Sequence, residues 1–226
     1  MPQVPDLPAG VEGPAEAVVT PRPSERVLVN LSGGVDSVHA AWRLLAEGRK
    51  VLLHHCIIHN REGRAEVERR AVRGVVDWLN RRGLTRFELL ESGYNQGNLG
   101  ALPYDVELVG FLTGVILRDR RRQDIGTVVV SCNASDVSVT NPTTPRVVRR
   151  KQLAELMAGR ELSWWMPFAH LTKAQMVEEL PHDLLAVCWW CRRSGPQQCG
   201  ACRPCREVRA SNTGRPLPFA KSQEAV

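Results

Sequence analysis

The chain has 226 residues, of which 43% are hydrophobic and 24% are charged, and its formal net charge is +6. These proportions are typical of a globular protein, and no apolar run reaches the roughly 20 residues of a membrane-spanning helix. The N-terminus also lacks the basic segment and apolar core of a signal peptide, so we expect a cytoplasmic protein without a membrane partner. Because the arginines are scattered through predicted helices, the charge does not require a nucleic-acid partner.

Four regions are predicted along the chain. Residues 1–24 are rich in proline and predict a flexible N-terminal extension. The main domain is predicted at residues 25–180, and a cysteine-rich module at 181–210. Residues 211–226 predict a loosely docked C-terminal tail.

Strands and helices alternate in the main domain. Buried strands are predicted at 26–31, 51–58, 87–90 and 127–131, and an apolar edge strand at 164–168. Helices are predicted from 38 to about 47 and at 63–82, 105–121, 147–158 and 172–179, the last with Thr172 as its N-cap. Residues 92–103 predict a mobile loop. The apolar stripe of the third helix is predicted at Val106, Val109, Leu112, Val115 and Leu117. This alternation predicts the α/β class with a parallel sheet.

A glycine-rich hexapeptide joins the first strand to the first helix, and its residues are Ser32, Gly33, Gly34, Val35, Asp36 and Ser37. Its glycines let the backbone turn sharply and approach a ligand. The helix N-terminus, the free N–H groups and the serine hydroxyls together favour an anion. Asp36 would repel a bare phosphate, but it suits Mg²⁺ that accompanies a pyrophosphate. The Lys-Ser/Thr ending of a Walker-type loop is missing.

Five of the seven cysteines lie in one segment: Cys188, Cys191, Cys199, Cys202 and Cys205. In a cytosolic chain such crowding favours a metal site over disulfides. The two-residue spacers of Cys199, Cys202 and Cys205 let successive thiolates face one ion. We therefore predict a structural four-thiolate Zn²⁺ site completed by Cys191, with Cys188 as the alternative fourth ligand. An iron–sulfur cluster or plain buried cysteines are the minor alternatives.

The hexapeptide resembles the Ser-Gly-Gly-x-Asp-Ser loop of the N-type ATP pyrophosphatases, the PP-loop superfamily. Together with the cysteine pattern it makes the chain similar to a divergent member of the 7-cyano-7-deazaguanine synthase family. Asn133-Ala134-x-Asp136-x-Ser138 and Leu171-Thr172-Lys173 match two further motifs of that family. The resemblance runs patchily from about residue 26 to 206. It implies a Rossmann-like, adenine-nucleotide alpha-hydrolase-like domain (the PP-loop fold) with a small C-terminal zinc module.

The resemblance also implies an ATP-dependent C–N ligase of the queuosine pathway, with ATP, Mg²⁺ and Zn²⁺ as cofactors. Its substrates would be a small deazapurine carboxylate, 7-carboxy-7-deazaguanine, and ammonia, and its product the 7-cyano compound. By resemblance, Asp36 and Lys173 are catalytic, the first assisting Mg²⁺ and the second neutralising phosphate charge. Residues 32–37 would hold the pyrophosphate, and Asn133 and Asp136 would contact the substrate.

The chain departs from that family where the deazapurine is held. Where the family has Gly-Tyr-Pro-Asp-Cys-Arg, this chain has residues 139–144, Val-Thr-Asn-Pro-Thr-Thr. The acceptor is therefore open. One alternative is a PP-loop tRNA-modifying or sulfur-transfer enzyme that uses Cys132 as a nucleophile. The other is a non-catalytic, zinc-containing relative that binds nucleotides or nucleic acid.

The remaining polar and aromatic candidates receive structural interpretations. Cys132 and Cys56 are interpreted as buried strand cysteines. His54 and His55 point to opposite faces of a strand, so they are not expected to share a metal ion. The tryptophan pairs at 164–165 and 189–190 pack around the zinc module or, as the minority alternative, form a homodimer interface.

Overall fold

The computed structural model describes residues 20–97, 105–136 and 145–211. Most of the predicted N-terminal extension, the 139–144 segment with Ser138, and all but the first residue of the predicted tail lie outside these ranges. The division of the chain into four regions stays a prediction. Among the described residues, no helix is long and apolar enough to cross a membrane.

The described residues form one parallel sheet in the order β3-β2-β1-β4-β5. Its strands are β1 (Val27–Asn30), β2 (Val51–His59), β3 (Phe87–Asn95), β4 (Thr127–Val129) and β5 (Ser163–Trp165). The direction of strand order reverses between β1 and β4, which is where open α/β sheets bind ligands. The predicted α/β class with a parallel sheet is confirmed.

Seven α-helices connect or follow the strands within the described ranges. They are α1 (Val35–Ala46), α2 (Ala65–Arg81), α3 (Asp105–Leu117), α4 (Pro145–Ala158), α5 (Lys173–Glu179), α6 (His182–Leu185) and α7 (Arg203–Ala210). A short 3₁₀ helix follows α3 at Arg120–Arg122. Helix α7 begins inside the cysteine segment, where no helix was predicted.

The sheet is covered on both faces, as parallel sheets require. Alternate residues of β1 enter different cores, because successive side chains of a strand point to opposite faces. Val27 and Val29 pack with α1 and α2, whereas Leu28 packs with α3 and α4. The first core continues into the C-terminal module through Leu185, Trp190, Cys205 and Val208. The module therefore shares one hydrophobic core with the main sheet and its helices.

Two predicted boundaries are wrong. Strand β3 continues to Asn95, although residues 92–95 were predicted as loop, because Tyr94 and Asn95 pair with Ile58 and His59 of β2. Sheet pairing thus overrides the local glycine and asparagine signals. Helix α3 ends at Leu117 and not at 121, and the Asp119 side chain accepts a hydrogen bond from the Arg121 N–H to cap the 3₁₀ turn.

The predicted apolar stripe of α3 is only partly right: Leu117 is buried, Val106, Val109 and Leu112 are half-buried, and Val115 faces outward. Its buried residues are Gly110, Thr113, Gly114, Ile116 and Leu117, whereas Val115 is 43% exposed. Small residues define the buried face because α4 approaches the α3 backbone closely there. A Cβ on Gly110 would lie 2.7 Å from the Arg150 carbonyl oxygen. The close approach of the α4 backbone to α3 decides which side of α3 faces inward. The pattern of hydrophobic residues does not indicate this approach.

Replacing Gly114 with alanine should destabilise the protein by roughly 1–3 kcal/mol, the usual cost of overpacking. The added Cβ would overlap the Ala154 carbonyl oxygen and lie 2.6 Å from Met157 Cβ, so α4 would have to shift. Chemical denaturation measures the difference. Gly126→Ala is the control, since a Cβ there meets nothing within 4 Å. Equal stability of the two variants would contradict the close α3–α4 packing.

Candidate active site

The hexapeptide forms a compact turn between β1 and α1. The Ser37 hydroxyl donates to the Gly34 carbonyl at 3.0 Å and accepts from the Ser32 N–H at 3.1 Å. The Ser32 hydroxyl oxygen lies 3.1 Å from that of Ser37 and accepts from the Gly34 N–H at 3.3 Å. Gly34 is the N-cap of α1 and has no side-chain cap. The first turn of α1 therefore presents N–H groups to an anion.

Gly33 is the position where glycine is required. Its φ is +80°, which side chains rarely adopt, and a Cβ would lie 2.9 Å from Ala71 Cβ of α2. The Gly33 carbonyl accepts a hydrogen bond from the Trp189 N–H at 2.8 Å. The loop is thus held from behind by α2 and from the side by the C-terminal module.

Residues from three separate connections converge beside this loop. The Lys173 ammonium at the start of α5 forms an ion pair with Asp36 Oδ2 in the first turn of α1. Asn133, which follows β4, donates from Nδ2 to Asp36 Oδ1 at 3.3 Å and to Asp136 Oδ2 at 3.0 Å. Asp36, Lys173, Asn133 and Asp136 were predicted from distant motifs, and the fold brings them together. Their catalytic and binding roles stay predictions.

The two carboxylates are close enough to affect each other. Burial raises the pKa of Asp136, and the negative charge of Asp36 raises it further, although the Asn133 N–H hydrogen bond opposes both. The Asp36 side chain keeps 27% of its surface exposed. Oxygen ligands of this kind suit a hard cation such as Mg²⁺. The donor set therefore fits the predicted Mg²⁺ at Asp36.

Helix α5 is anchored in a way that sequence reasoning found only in part. The predicted N-cap Thr172 makes a reciprocal capping box with Gln175. The fully buried His39 of α1 also contacts the other end of α5, with its Nε2 2.8 Å from Glu179 Oε2. Burial lowers the pKa of His39, and Glu179 opposes that shift. No sequence signal indicated His39, because the pair spans 140 positions.

A buried polar network links strands β1, β2 and β3 with helix α3, near the end of β1 that leads into the hexapeptide turn. His54 Nδ1 lies 2.8 Å from Asn30 Oδ1, and its Nε2 lies 2.8 Å from the Ser92 hydroxyl. Asn30 Nδ2 in turn donates to the Thr113 hydroxyl of α3 at 3.2 Å. His55 contacts the Leu31 carbonyl instead. The two histidines have separate partners, and the described metal-competent group contains neither.

We expect this network to make stability fall in mild acid. Burial lowers the pKa of His54 from 6.5 to about 4, with a smaller contribution from His55. His54 is therefore protonated below about pH 6.5 in the unfolded chain, but only below about pH 4 in the folded chain. The free energy of unfolding is therefore unaffected by His54 protonation above pH 6.5. It falls by up to about 3 kcal/mol as the pH decreases from 6.5 towards 4.

Urea unfolding of the wild type and of His54→Gln between pH 4 and 7 measures that contribution. The variant should show a shallower pH dependence over this interval. His59→Gln is the control, because the His59 side chain is exposed at the end of the same strand. Parallel curves for the wild type and His54→Gln would contradict the neutral buried state of His54.

The structure groups four of the five clustered cysteines. The Sγ atoms of Cys191, Cys199, Cys202 and Cys205 all lie within 4.8 Å of one another. Two pairs, Cys199–Cys205 and Cys191–Cys202, are 4.0 Å apart. A tetrahedral Zn²⁺ with Zn–S bonds of about 2.3 Å needs thiolates roughly 3.8 Å apart. The geometry therefore fits the predicted metal, and the identity of the ion stays a prediction.

Backbone N–H groups favour the thiolate form at Cys199 and Cys202, whereas burial raises the pKa of Cys191 and Cys205. Cys191 Sγ accepts from the N–H groups of Arg193 at 3.3 Å and Cys199 at 3.4 Å. Cys199 Sγ accepts from the Cys202 N–H at 3.4 Å. Although burial raises it, hydrogen bonds from the Ala201 and Cys202 N–H groups bring the pKa of Cys199 to about 6. Thiolates are the form that binds metal.

The other cysteines lie apart from the cluster. Cys188 is buried and its Sγ donates to the Leu184 carbonyl at 3.3 Å, so Cys191 and not Cys188 belongs to the group. Burial raises the pKa of Cys56 to about 11. Cys132 is 3% exposed and directly precedes Asn133 of the site. The buried state expected of Cys132 is observed, whereas the same prediction for Cys56 is wrong because that residue is only half-buried.

Fold and site define the class: an α/β protein with a glycine-rich turn at the switch point of a parallel sheet. Residues 23–99 match the family described as Thiamine biosynthesis protein (ThiI). A 7-cyano-7-deazaguanine synthase of Saccharolobus solfataricus P2 is 24% identical over 227 residues, covering 83% of this chain and 45% of that protein. This chain thus spans less than half the length of that relative. The two matches support the PP-loop superfamily, which uses ATP.

One solved structure gives a weaker match. An NMN synthetase from Francisella tularensis has a TM-score of 0.44 and 15% sequence identity, covering 68% of this chain and 59% of that chain. That score is below the level at which a shared fold is established. The assignment to the α/β class therefore depends on the five-stranded sheet itself.

Proposed function

We propose that the chain is an ATP-dependent C–N ligase that makes 7-cyano-7-deazaguanine from 7-carboxy-7-deazaguanine and ammonia. The observation that carries the proposal is the ion pair of Asp36 and Lys173 beside the hexapeptide turn. This pair unites the two predicted catalytic residues, which lie 137 positions apart in the sequence. The weak match to a 7-cyano-7-deazaguanine synthase supports the choice of acceptor.

The chemistry begins with a poor electrophile. A carboxylate oxygen of the acceptor attacks the α-phosphorus of ATP, the bond to pyrophosphate breaks, and an acyl-adenylate forms. Ammonia then attacks the acyl carbon, AMP leaves with the carboxylate oxygen, and the nitrogen loses one proton, giving the amide. A second adenylation at the amide oxygen, followed by loss of AMP and two protons, gives the nitrile.

The residues of the site have separate tasks in this scheme. The N–H groups of the turn and the Lys173 ammonium stabilise charge that develops on the leaving pyrophosphate. Asp36 would hold Mg²⁺, which neutralises further phosphate charge when bound. Lys173 is held by Asp36 until the nucleotide supplies phosphate oxygens. Asn133 and Asp136 orient the acceptor close to the α-phosphorus, where a correct distance matters most.

A sulfur-transfer enzyme is the second candidate. Two observations favour it: the ThiI-family match at residues 23–99 and the position of Cys132 next to Asn133. In this scheme a Cys132 persulfide, formed from an external sulfane-sulfur donor, attacks the adenylated acceptor and AMP leaves. A second thiol then cleaves the S–S bond, and the sulfur stays on the acceptor. Cys132→Ser would abolish product formation in the second candidate and would leave the ligase nearly unchanged.

The test is incubation of the pure protein with Mg-ATP, ammonium and 7-carboxy-7-deazaguanine, followed by AMP quantification and product mass. AMP together with the amide or nitrile mass supports the proposal. AMP without either product keeps the ATP pyrophosphatase and rejects this acceptor. Absence of AMP from folded, metal-loaded protein contradicts the ligase and favours the non-catalytic alternative.

A further inference from the structure

The outer wall of the hexapeptide turn is backbone from the C-terminal module. The Trp189 N–H donates to the Gly33 carbonyl at 2.8 Å. A Cβ on Gly34 would lie 3.7 Å from the Trp189 carbonyl oxygen, so Gly34 also lies next to Trp189. Any movement of Trp189 therefore changes the turn that is proposed to hold the nucleotide.

A single side chain holds both peptide groups that flank Trp189. Gln198 Nε2 donates to the Cys188 carbonyl at 3.1 Å, and Gln198 Oε1 accepts from the Trp190 N–H at 3.2 Å. Gln198 is only 2% exposed, so water does not compete with these bonds. The amide of Gln198 thus fixes the backbone of Trp189 from both sides.

Two residues of the cysteine cluster adjoin this clamp. Cys191 follows Trp190 directly, and Cys199 follows Gln198 directly. The two ends meet at the cluster, where the Cys199 N–H donates to Cys191 Sγ at 3.4 Å. The segment 188–199 is therefore a loop closed by the cluster, with Gln198 spanning it and Trp189 contacting the turn.

Helix α2 supports the same segment from below. Gly74 of α2 leaves room for Val187, since a Cβ there would lie 3.1 Å from Val187 Cβ. Ala71, one turn earlier, faces Gly33. The hexapeptide turn and the closed loop thus pack against neighbouring positions of helix α2. Because Trp189 belongs to the closed loop, its position is defined only while that loop is ordered.

We propose that Gln198 is a positioning residue that couples the cysteine cluster to the hexapeptide turn, so that a metal in the cluster and a nucleotide on the turn bind cooperatively. The proposal rests on the nucleotide binding proposed above. An ordered cluster fixes the closed loop and Trp189 before the nucleotide arrives, so binding does not have to order them. Linkage requires the nucleotide to strengthen metal binding by the same factor.

The first measurement is the Kd of the full chain for Mg-ATP by calorimetry, with Zn²⁺ bound and after its removal by a chelator. We expect Zn²⁺ to tighten Mg-ATP binding at least about fivefold, the lower end of typical couplings. The Kd for Zn²⁺, from a competing chelator, should tighten by the same factor when Mg-ATP is present. Equal Mg-ATP affinities with and without Zn²⁺ in folded protein overturn the coupling.

The second measurement compares zinc-loaded variants and applies even if the metal-free chain unfolds. Gln198→Ala should weaken Mg-ATP binding about fivefold or more and accelerate hydrogen exchange at the Trp189 amide, with the Zn²⁺ stoichiometry unchanged. Gln198→Met keeps the approximate size but cannot make either hydrogen bond, so it should show the same changes. The control is Gln197→Ala at the exposed neighbouring position.

Wild-type exchange at Trp189 and wild-type Mg-ATP affinity in both Gln198 variants overturn the positioning role. Failure of the zinc-loaded wild type to bind Mg-ATP contradicts the proposed function. Hydrogen exchange at the Trp189 amide still tests the positioning role of Gln198 in that case. It measures how firmly Gln198 fixes the closed loop and does not require a nucleotide.

Discussion

Replacing Lys173 with alanine should lower kcat/KM for AMP formation by about 10²–10³-fold, as the loss of one positioned charge-stabilising donor does in other enzymes. The Lys173 side chain is 14% exposed and contacts Asp36, so the charge acts in a partly desolvated site. Alanine is the best helix former, and the cap formed by Thr172 and Gln175 does not use the Lys173 side chain. The fold should therefore survive the change.

The matched control is Lys50→Ala, which removes an exposed lysine and should keep wild-type kinetics. Asp36→Asn should also lose activity, since it removes the proposed Mg²⁺ ligand and the partner of Lys173. Because the two residues act as a unit, the double variant should lose about as much as the more damaged single variant. A Lys173→Ala enzyme with wild-type AMP formation would refute the proposed role of the ion pair.

Cys191→Ser should abolish stoichiometric metal binding and destabilise the fold. A structural zinc site supplies roughly 10–16 kcal/mol of binding free energy to small metal-dependent folds. In this chain the cysteine module shares a core with the main sheet, so part of the fold should persist without the ion. We expect a loss of about 3 kcal/mol or more, which lowers Tm by about 6–12 °C in a chain of this size.

Cys188→Ala separates metal binding from packing. Cys188 is as buried as Cys191 but lies outside the four-sulfur group, so its loss should cost about 1 kcal/mol and leave one metal ion per chain. Metal analysis after gel filtration and thermal unfolding give both readouts. Retention of metal by Cys191→Ser together with its loss from Cys188→Ala would reverse the assignment of the fourth ligand.

Local sequence signals predicted a feature correctly where all of its residues lie in one short segment. The Ser32–Ser37 turn is recognisable because its two glycines, two serines and Asp36 are contiguous and lie between a strand and a helix. Thr172 was recognisable as an N-cap because its partner Gln175 is three residues away. The cysteine spacing likewise predicted a group of ligands, since the two-residue spacers of Cys199, Cys202 and Cys205 confine three thiolates to one turn.

Signals failed where the decisive partner is distant in the chain. The buried face of α3 follows from how closely the α4 backbone approaches Gly110 and Gly114, and hydrophobic periodicity contains no term for that approach. The length of β3 is set by pairing with β2, which outweighed the glycine and asparagine of its second half. His39 and Gln198 looked unremarkable because their partners lie at other positions of the fold.

The sequence by itself therefore determined the α/β class, the glycine-rich turn, three members of the cysteine group and the motifs that contain Asp36, Asn133, Asp136 and Lys173. Only the tertiary structure decided that these four side chains meet, that Cys191 and not Cys188 joins the sulfur group, and that Trp189 contacts the turn. The physical reason is the distance along the chain over which each interaction acts. Turn geometry, capping and ligand spacing act over a few residues, whereas ion pairs and packing between helices depend on the position of the whole sheet between them.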